Sequence, residues 1–232
     1  MMPYMCKNVV VFDLDDTLYK EIDFLKSGYH KVAELVAKQY GGDVRAIYDH
    51  LMKWYNNGKN AFACLNEKYG LDNPINDYLD VYRFHHPTLT LSEETKDTLS
   101  KLKEDGAVLG IITDGREITQ KQKFEALGLE QWIPMEMVMI NEDKKYFKPN
   151  HWSYDRMMLK CHEKYPYNDF ACFYVGDNTE KDFIAPKELG WTTICLLNNG
   201  KNIQKQNFNI VEDSLPKYRI NNIGEVLDIL RL

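Results

Sequence analysis

The chain has 232 residues, 44% of them hydrophobic and 28% charged. That is enough apolar material for one large domain or a core domain with an insert, and it argues against a disordered chain. A formal net charge of −6 argues against a partner such as a nucleic-acid polymer, whose phosphates call for a basic surface, but leaves room for a small anion in a local positive pocket. Five cysteines without a Cys-x-x-Cys pair argue against a disulfide framework or a zinc ribbon.

The opening stretch MMPYMCKNVVVFDLDD lacks the apolar core of a secretory leader, and no run approaches the roughly 18 apolar residues of a membrane span. The expectation is a cytoplasmic protein with no membrane association.

The first apolar run, KNVVVFD (7–13), predicts a buried strand. It ends in three acids, Asp13, Asp15 and Asp16. From about Glu21 to Phe84 the pattern is helical throughout. Ile22, Leu25, Tyr29, Val32, Leu35 and Val36 recur at helix spacing up to Gly41-Gly42. A second helix is expected from Asp43 as N-cap to the Asn-Asn-Gly turn, and a third over NAFACLNEKYG. A fourth is expected over NPINDYLDVYRF, with Asn73 as cap and Pro74 at the first helical position. HHPTLTL (85–91) then reads as a return linker, with His85 and His86 at the surface, and a helix follows from about Ser92 to Glu104.

Beyond it, AVLGIITD (107–114), MEMVMI (135–140), FACFYVGD (170–177) and WTTICLL (191–197) are near-continuous apolar runs. Such runs suit parallel strands covered on both faces. Helical segments at 116–127, 151–164 and 178–189 lie between them. The alternation implies an α/β fold: a doubly wound, Rossmann-like parallel sheet with an all-helical insert after the first strand. The expected division is a core of 1–19 and 87–232 and a helical domain of 20–86.

In such a sheet, ligands sit beyond the carboxyl ends of the strands. There the first strand presents Asp13, Asp15 and Thr17, the second Thr113 and Asp114, the fourth Asp177 and Asp182; Lys148 of KKYFKPN follows the third. Asp13 and Asp15 are two residues apart, so an extended backbone turns both to one side. Carboxylates this close repel, and a hard divalent cation such as Mg2+ relieves the repulsion. Asp177 could complete its ligand set, Lys148 would offset further charge, and the Thr113 hydroxyl could donate to a phosphoryl oxygen.

This set of motifs resembles the haloacid dehalogenase superfamily, in particular its phosphatase branch with a helical cap. Asp13-Leu14-Asp15-Asp16-Thr17 matches the family's Asp-x-Asp-x-Thr, Thr113 its strand-terminal Thr or Ser, Lys148-Pro149 its third motif, and Gly176-Asp177 through Asp182 its fourth. The resemblance implies roles. Asp13 is the nucleophile that forms an aspartyl-phosphate, and Asp15 the general acid and base. Mg2+ is held by Asp13, the Asp15 backbone carbonyl and Asp177, with Asp182 behind them. Thr113, the Asp114 amide and Lys148 bind the phosphoryl group. One departure stands out: close members carry Asn where this chain has Asp114, and its extra charge is expected to point away or towards the cap.

Asp15 favours ester hydrolysis over dehalogenation, since a halide leaves without a proton. The function implied is a Mg2+-dependent phosphatase for a small phosphorylated metabolite, a sugar phosphate or nucleotide. The alternatives are a sugar phosphomutase of the same fold and a non-enzymatic binding module. In the helical insert His30, Trp54, Tyr55, Arg83, His85 and His86 are the polar and aromatic side chains that could meet a leaving group, with the aromatics expected mainly as core.

Overall fold

A computed structural model describes residues 6–231; part of the leader reading falls on residues 1–5, outside the described residues. Among the described residues no helix is long and apolar enough to cross a membrane. The chain divides into two compact units. One comprises the chain through Glu21 together with everything from Thr90 onward; the other is Ile22–Leu89.

The first unit is built on β1 (Cys6–Phe12), β2 (Val108–Asp114), β3 (Val138–Asn141), β4 (Asp169–Gly176), β5 (Thr192–Leu196) and β6 (Tyr218–Ile220). These form one sheet in the order β3-β2-β1-β4-β5-β6, and every pairing is parallel. Val9, Val10, Val11 and Phe12 are all 0% exposed, as a strand covered on both faces requires. β1 is central. The chain runs outward through β2 and β3, then crosses back to place β4 on the other side of β1. Strand order therefore reverses at β1, and the crevice beyond its carboxyl end is where such a sheet takes a ligand.

The register sets the site's depth. Phe12 lies beside Ile111 of β2 and Val175 of β4, so Asp13, Ile112 and Gly176 come next on three adjacent strands. The Asp13 amide donates to the Val175 carbonyl at 2.8 Å, extending the β1–β4 ladder by one bond.

The strand expected over 135–140 begins later, at Val138, because Met135–Met137 forms a single 3-10 turn. The helix expected over 178–189 contracts to Ile184–Glu188. Its first part is a turn in which the Asn178 side-chain oxygen accepts from Glu180 N, and the Asp182 carboxylate accepts from the amides of Asp177 and Asn178. These side chains satisfy the backbone locally and so compete with helix formation. β6 has no counterpart in the sequence reading: YRI is too short to show an alternation.

The second unit is all-helical. Taking helices in chain order, α1 is Glu21–Tyr40, α2 Val44–Asn56, α3 Ala61–Tyr69 and α4 Ile75–Phe84. Asp43 caps α2 through Arg45 N and Ala46 N, and Asn60 caps α3 through Ala63 N. Gly70 ends α3 with φ of 62°, a backbone open to glycine at little cost. At α4 the expected cap shifts by one. Pro74 itself occupies the N-cap with non-helical ψ of 133°, because the Asn73 side chain is turned instead to the Tyr78 hydroxyl. His85, expected at the surface, is buried. Its ring bonds the Tyr82 carbonyl at 2.7 Å and the Ser27 hydroxyl at 3.0 Å.

Candidate active site

Beyond the carboxyl ends of the central strands lies a cleft of about 190 Å3 lined by Asp13, Asp15, Asp16, Glu21, Thr113, Asp114, Asp177, Asn178, Lys181 and Gln204. All belong to the α/β unit. Six of these ten carry a carboxyl group. Gathering so many acids in a half-closed space costs electrostatic free energy unless cations or protons compensate.

Lys148 supplies the innermost positive charge. Its side chain is fully buried and its ammonium meets Asp13 Oδ1 at 2.6 Å, Asp182 Oδ1 at 2.8 Å and the Tyr174 hydroxyl at 3.0 Å. Hydrogen bonds from the ammonium reach Asp13 and Tyr174, and Asp182 meets it as an ion pair. Burial alone would make Lys148 easier to deprotonate, but Asp13 and Asp182 outweigh it and hold its pKa well above the ordinary lysine value.

Asp13, Asp177 and Asp182 are all buried, with one oxygen from each falling within 4.8 Å of the others. Burial, together with Asp182 and Asp15, pushes Asp13 up to about 7 against the pull of Lys148 and Lys181. Asp177 is pushed to about 8 by burial and by the charges of Asp182 and Asp13. The donor set is wholly carboxylate oxygen and is under mutual repulsion, which fits a hard, oxygen-seeking dication of the Mg2+ type. Asp182 is already committed. Its Oδ2 accepts the amides of Asp177 and Asn178, at 3.1 and 2.9 Å, while Oδ1 holds Lys148. Gly176 makes this possible, since a Cβ there would lie 2.4 Å from Asp182 Oδ2.

Asp15 lines the same cleft but its carboxylate faces a different set of donors. Lys123 spans both oxygens at 2.7 and 2.9 Å, Gln120 Nε2 donates at 3.0 Å, and the Tyr19 hydroxyl at 2.5 Å. Burial would raise its pKa; the Lys123 charge and the three donors overcome that and lower it. The side chain is not among the clustered acids.

Thr113 is 1% exposed, and its hydroxyl oxygen accepts from Gln120 Nε2 at 2.5 Å. Accepting there leaves the hydroxyl proton for a ligand oxygen. Asp114 lines the cleft, with its carboxylate tied to neighbouring side chains. Its Oδ1 accepts from Asn141 Nδ2 at 2.9 Å and from the Lys148 amide at 3.2 Å, and its Oδ2 pairs with Lys181 at 2.7 Å. Burial opposes ionisation, but Lys148 and Lys181 hold the carboxyl below its usual range. The extra charge thus becomes a tie between the β2 end and the Lys148 loop.

Asp16, given no role by the motif reading, sits in the left-handed region with φ of 57°. One of its oxygens accepts from Glu21 N at 3.0 Å and the other from Ile203 N at 2.8 Å. The loop after β5 also reaches the site. Asn202 Nδ2 donates to Asp177 Oδ2, and Gln206 Nε2 to the Asp177 carbonyl, each at 2.8 Å.

Motif reading missed Lys123, Gln120, Lys181, Asn202 and Gln206. For the first two a signal exists. The helix α6, following α5 (Glu93–Glu104), is Glu117–Ala126 and reads EITQKQKFEA. It has too few apolar residues to cover an inward face, so Thr119, Gln120 and Lys123 must be buried along with Phe124. Buried polar side chains on a helix that follows a strand bearing Thr113 have to answer to something polar at the strand end.

The haloacid dehalogenase-like hydrolase family model matches residues 10–196, and the chain belongs to that family. A glyceraldehyde 3-phosphate phosphatase of Methanocaldococcus jannaschii is 28% identical over 238 residues, covering 96% of both chains. Among solved structures, the HAD-hydrolase YfnB from Bacillus subtilis bound to magnesium aligns with TM-score 0.60 and 20% identity, over 98% of this chain and 100% of that one. A 2-haloacid dehalogenase from Pseudomonas syringae aligns with the same TM-score and identity, over 98% and 99%. The two neighbours share the fold, and fold alone does not choose between chemistries.

Proposed function

We propose that this chain is a Mg2+-dependent phosphatase that hydrolyses a small phosphomonoester through an aspartyl-phosphate on Asp13. The observation that carries the reading is the arrangement around Asp13. Its carboxylate is anchored by Lys148 and clustered with Asp177 and Asp182, while a second acid, Asp15, lines the same cleft.

In this reading Asp13, Asp177 and the Asp15 carbonyl hold the cation, with Asp182 behind them. When bound, Mg2+ neutralises the carboxylates and polarises the phosphoryl oxygens. The Asp13 carboxylate attacks phosphorus, the bond to the ester oxygen breaks, and Asp15, which must first take up a proton against the pull of Lys123, gives it to that oxygen. Asp15, now a carboxylate, takes a proton from water as the water oxygen attacks phosphorus, and inorganic phosphate leaves a free Asp13. Thr113, the Asp114 amide and Lys148 steady the charge on the transferring group.

Several relatives along most of this chain are glyceraldehyde 3-phosphate phosphatases, so a three-carbon sugar phosphate is the substrate class assigned here. The helical unit, Ile22–Leu89, is assigned to leaving-group selection, and the protein to the cytoplasm. The test is phosphate release from a panel of sugar phosphates and nucleotides, with and without chelator. Triose phosphates should rank first, and chelation or Asp13→Asn should abolish release. An active Asp13→Asn protein would overturn the mechanism.

A further inference from the structure

We propose that Lys123, with Tyr19 and Gln120, is a positioning device for Asp15, and that it governs how well the enzyme expels poor leaving groups. This rests on the reading of Asp15 as the proton donor to the leaving oxygen.

The geometry carries the argument. Lys123 is 3% exposed, and its ammonium bridges both Asp15 oxygens at 2.7 and 2.9 Å. Tyr19 fixes Oδ1 at 2.5 Å from the other side of a short bridge between Asp15 and Tyr19. Gln120 holds Oδ2 at 3.0 Å, and the same nitrogen reaches Thr113 Oγ1 at 2.5 Å. A carboxylate only accepts, so the amide group must face it with its NH2. Asp15 is thus tied through Gln120 to the threonine placed to bind the phosphoryl group. The proton donor and a phosphoryl-binding group are held in one frame, which is what transfer between fixed positions requires.

The fold alone does not call for this. A buried lysine–carboxylate pair rarely stabilises more than apolar side chains of similar volume. The inward face of α6 would be filled more cheaply by leucine or methionine. Lys123 also differs in task from Lys148: one anchors the nucleophile, the other the acid.

The inference has a readout that a structural role would not move. General acid catalysis matters where the leaving oxygen is strongly basic and hardly at all where it is a good leaving group. The kcat/KM for glyceraldehyde 3-phosphate, an alkyl ester, reports only the steps through departure of the alcohol and should fall in Lys123→Met by ~10²-fold, within the range of general acid catalysis. With 4-nitrophenyl phosphate the fall should be under ~5-fold on the same scale. Tyr19→Phe should repeat the pattern at about a tenth of the size, and it carries the test should Lys123→Met not fold. A loss equal for both esters, or no loss for either, overturns the proposal. Asp15→Asn is run alongside. If it too loses both esters equally, the reading of Asp15 as acid has failed. If it is selective while the Lys123 and Tyr19 variants are not, only the positioning inference has.

Discussion

The two units of the molecule bury polar groups in opposite ways. In the helical unit they are neutral and close on one another. The Tyr78 hydroxyl donates to Asn66 Oδ1 at 2.7 Å and accepts from Asn73 Nδ2 at 2.9 Å, while Asn66 Nδ2 reaches the Asn73 carbonyl at 2.7 Å. Around them Phe24, Tyr29, Phe62 and Tyr82 pack edge to face or tilted. At the strand ends of the α/β unit the buried groups are charged, and they do not balance. Lys148 answers Asp13 and Asp182, Lys123 answers Asp15, and Asp177 is left with neutral amide donors from Asn202. A closed network specifies a structure; an open, like-charged one asks for something from outside the chain.

Removing Lys148 should break that contrast most severely. Lys148→Met leaves Asp13 and Asp182 buried with no cation between them, which costs on the order of 3–5 kcal/mol and lowers kcat by at least ~10², as loss of a charge-stabilising donor does. Urea unfolding and phosphate release measure the two effects separately.

Adding Mg2+ is the converse experiment. Asp13 at about 7 and Asp177 at about 8 lie above their ordinary value of 3.8. Between 3.8 and those values the folded state binds more protons than the unfolded, so stability falls as pH rises through that window. Thermal melting in chelator should therefore show a midpoint that declines from pH 5 to pH 8. Mg2+ at about 100 times its dissociation constant should restore about 2.7 kcal/mol at pH 8 and much less at pH 5, where protons already occupy the acids. A midpoint in chelator that rises across the same range would contradict the open-network picture.

Gly176→Ala probes the same edge sterically. The added carbon would meet Asp182 Oδ2 at 2.4 Å and its Cγ at 2.8 Å, so Asp182 must withdraw. Overpacking of this kind costs about 1–3 kcal/mol. Losing Asp182's hold on Lys148 and on the Asp177 amide should weaken Mg2+ binding, readable by titration calorimetry.

Legibility in the sequence followed the same divide. The acids at the ends of β1 and β4 and Thr113 stand where apolar runs stop, whereas Lys148 lies beyond β3, past the Lys144–Tyr146 turn, and was legible through its motif. The α/β class followed from the same runs. What could not be read is what depends on side chains meeting across the sheet edge. Lys123 and Gln120 sit on a helix whose amphipathicity is blurred by them, and Asn202 and Gln206 on an irregular loop with no period at all. Asp182 invited a helical reading because its spacing from Asp177 is near one turn; burial and two backbone amides made it the centre of a turn instead. His85 looked like an exposed linker residue because the Ser27 hydroxyl that satisfies it lies 58 residues away.

The smallest effect is expected inside the helical unit, and it tests the closed half of the contrast. Tyr78 is 0% exposed, and Tyr78→Phe keeps the ring while removing the hydroxyl that joins Asn66 to Asn73. Each of those amides loses one neutral partner, and Asn66 retains its bond to the Asn73 carbonyl. The cost should be about 1–2 kcal/mol, that of a buried neutral hydrogen bond lost with partial compensation. Because the network is neutral, the loss should be the same at pH 5 and pH 8 and indifferent to Mg2+. The kcat for 4-nitrophenyl phosphate should stay unchanged. A Tyr78→Phe protein whose stability loss varied with Mg2+ would show that the helical unit's interior is coupled to the acid cluster, and the two kinds of burial would then no longer be separable.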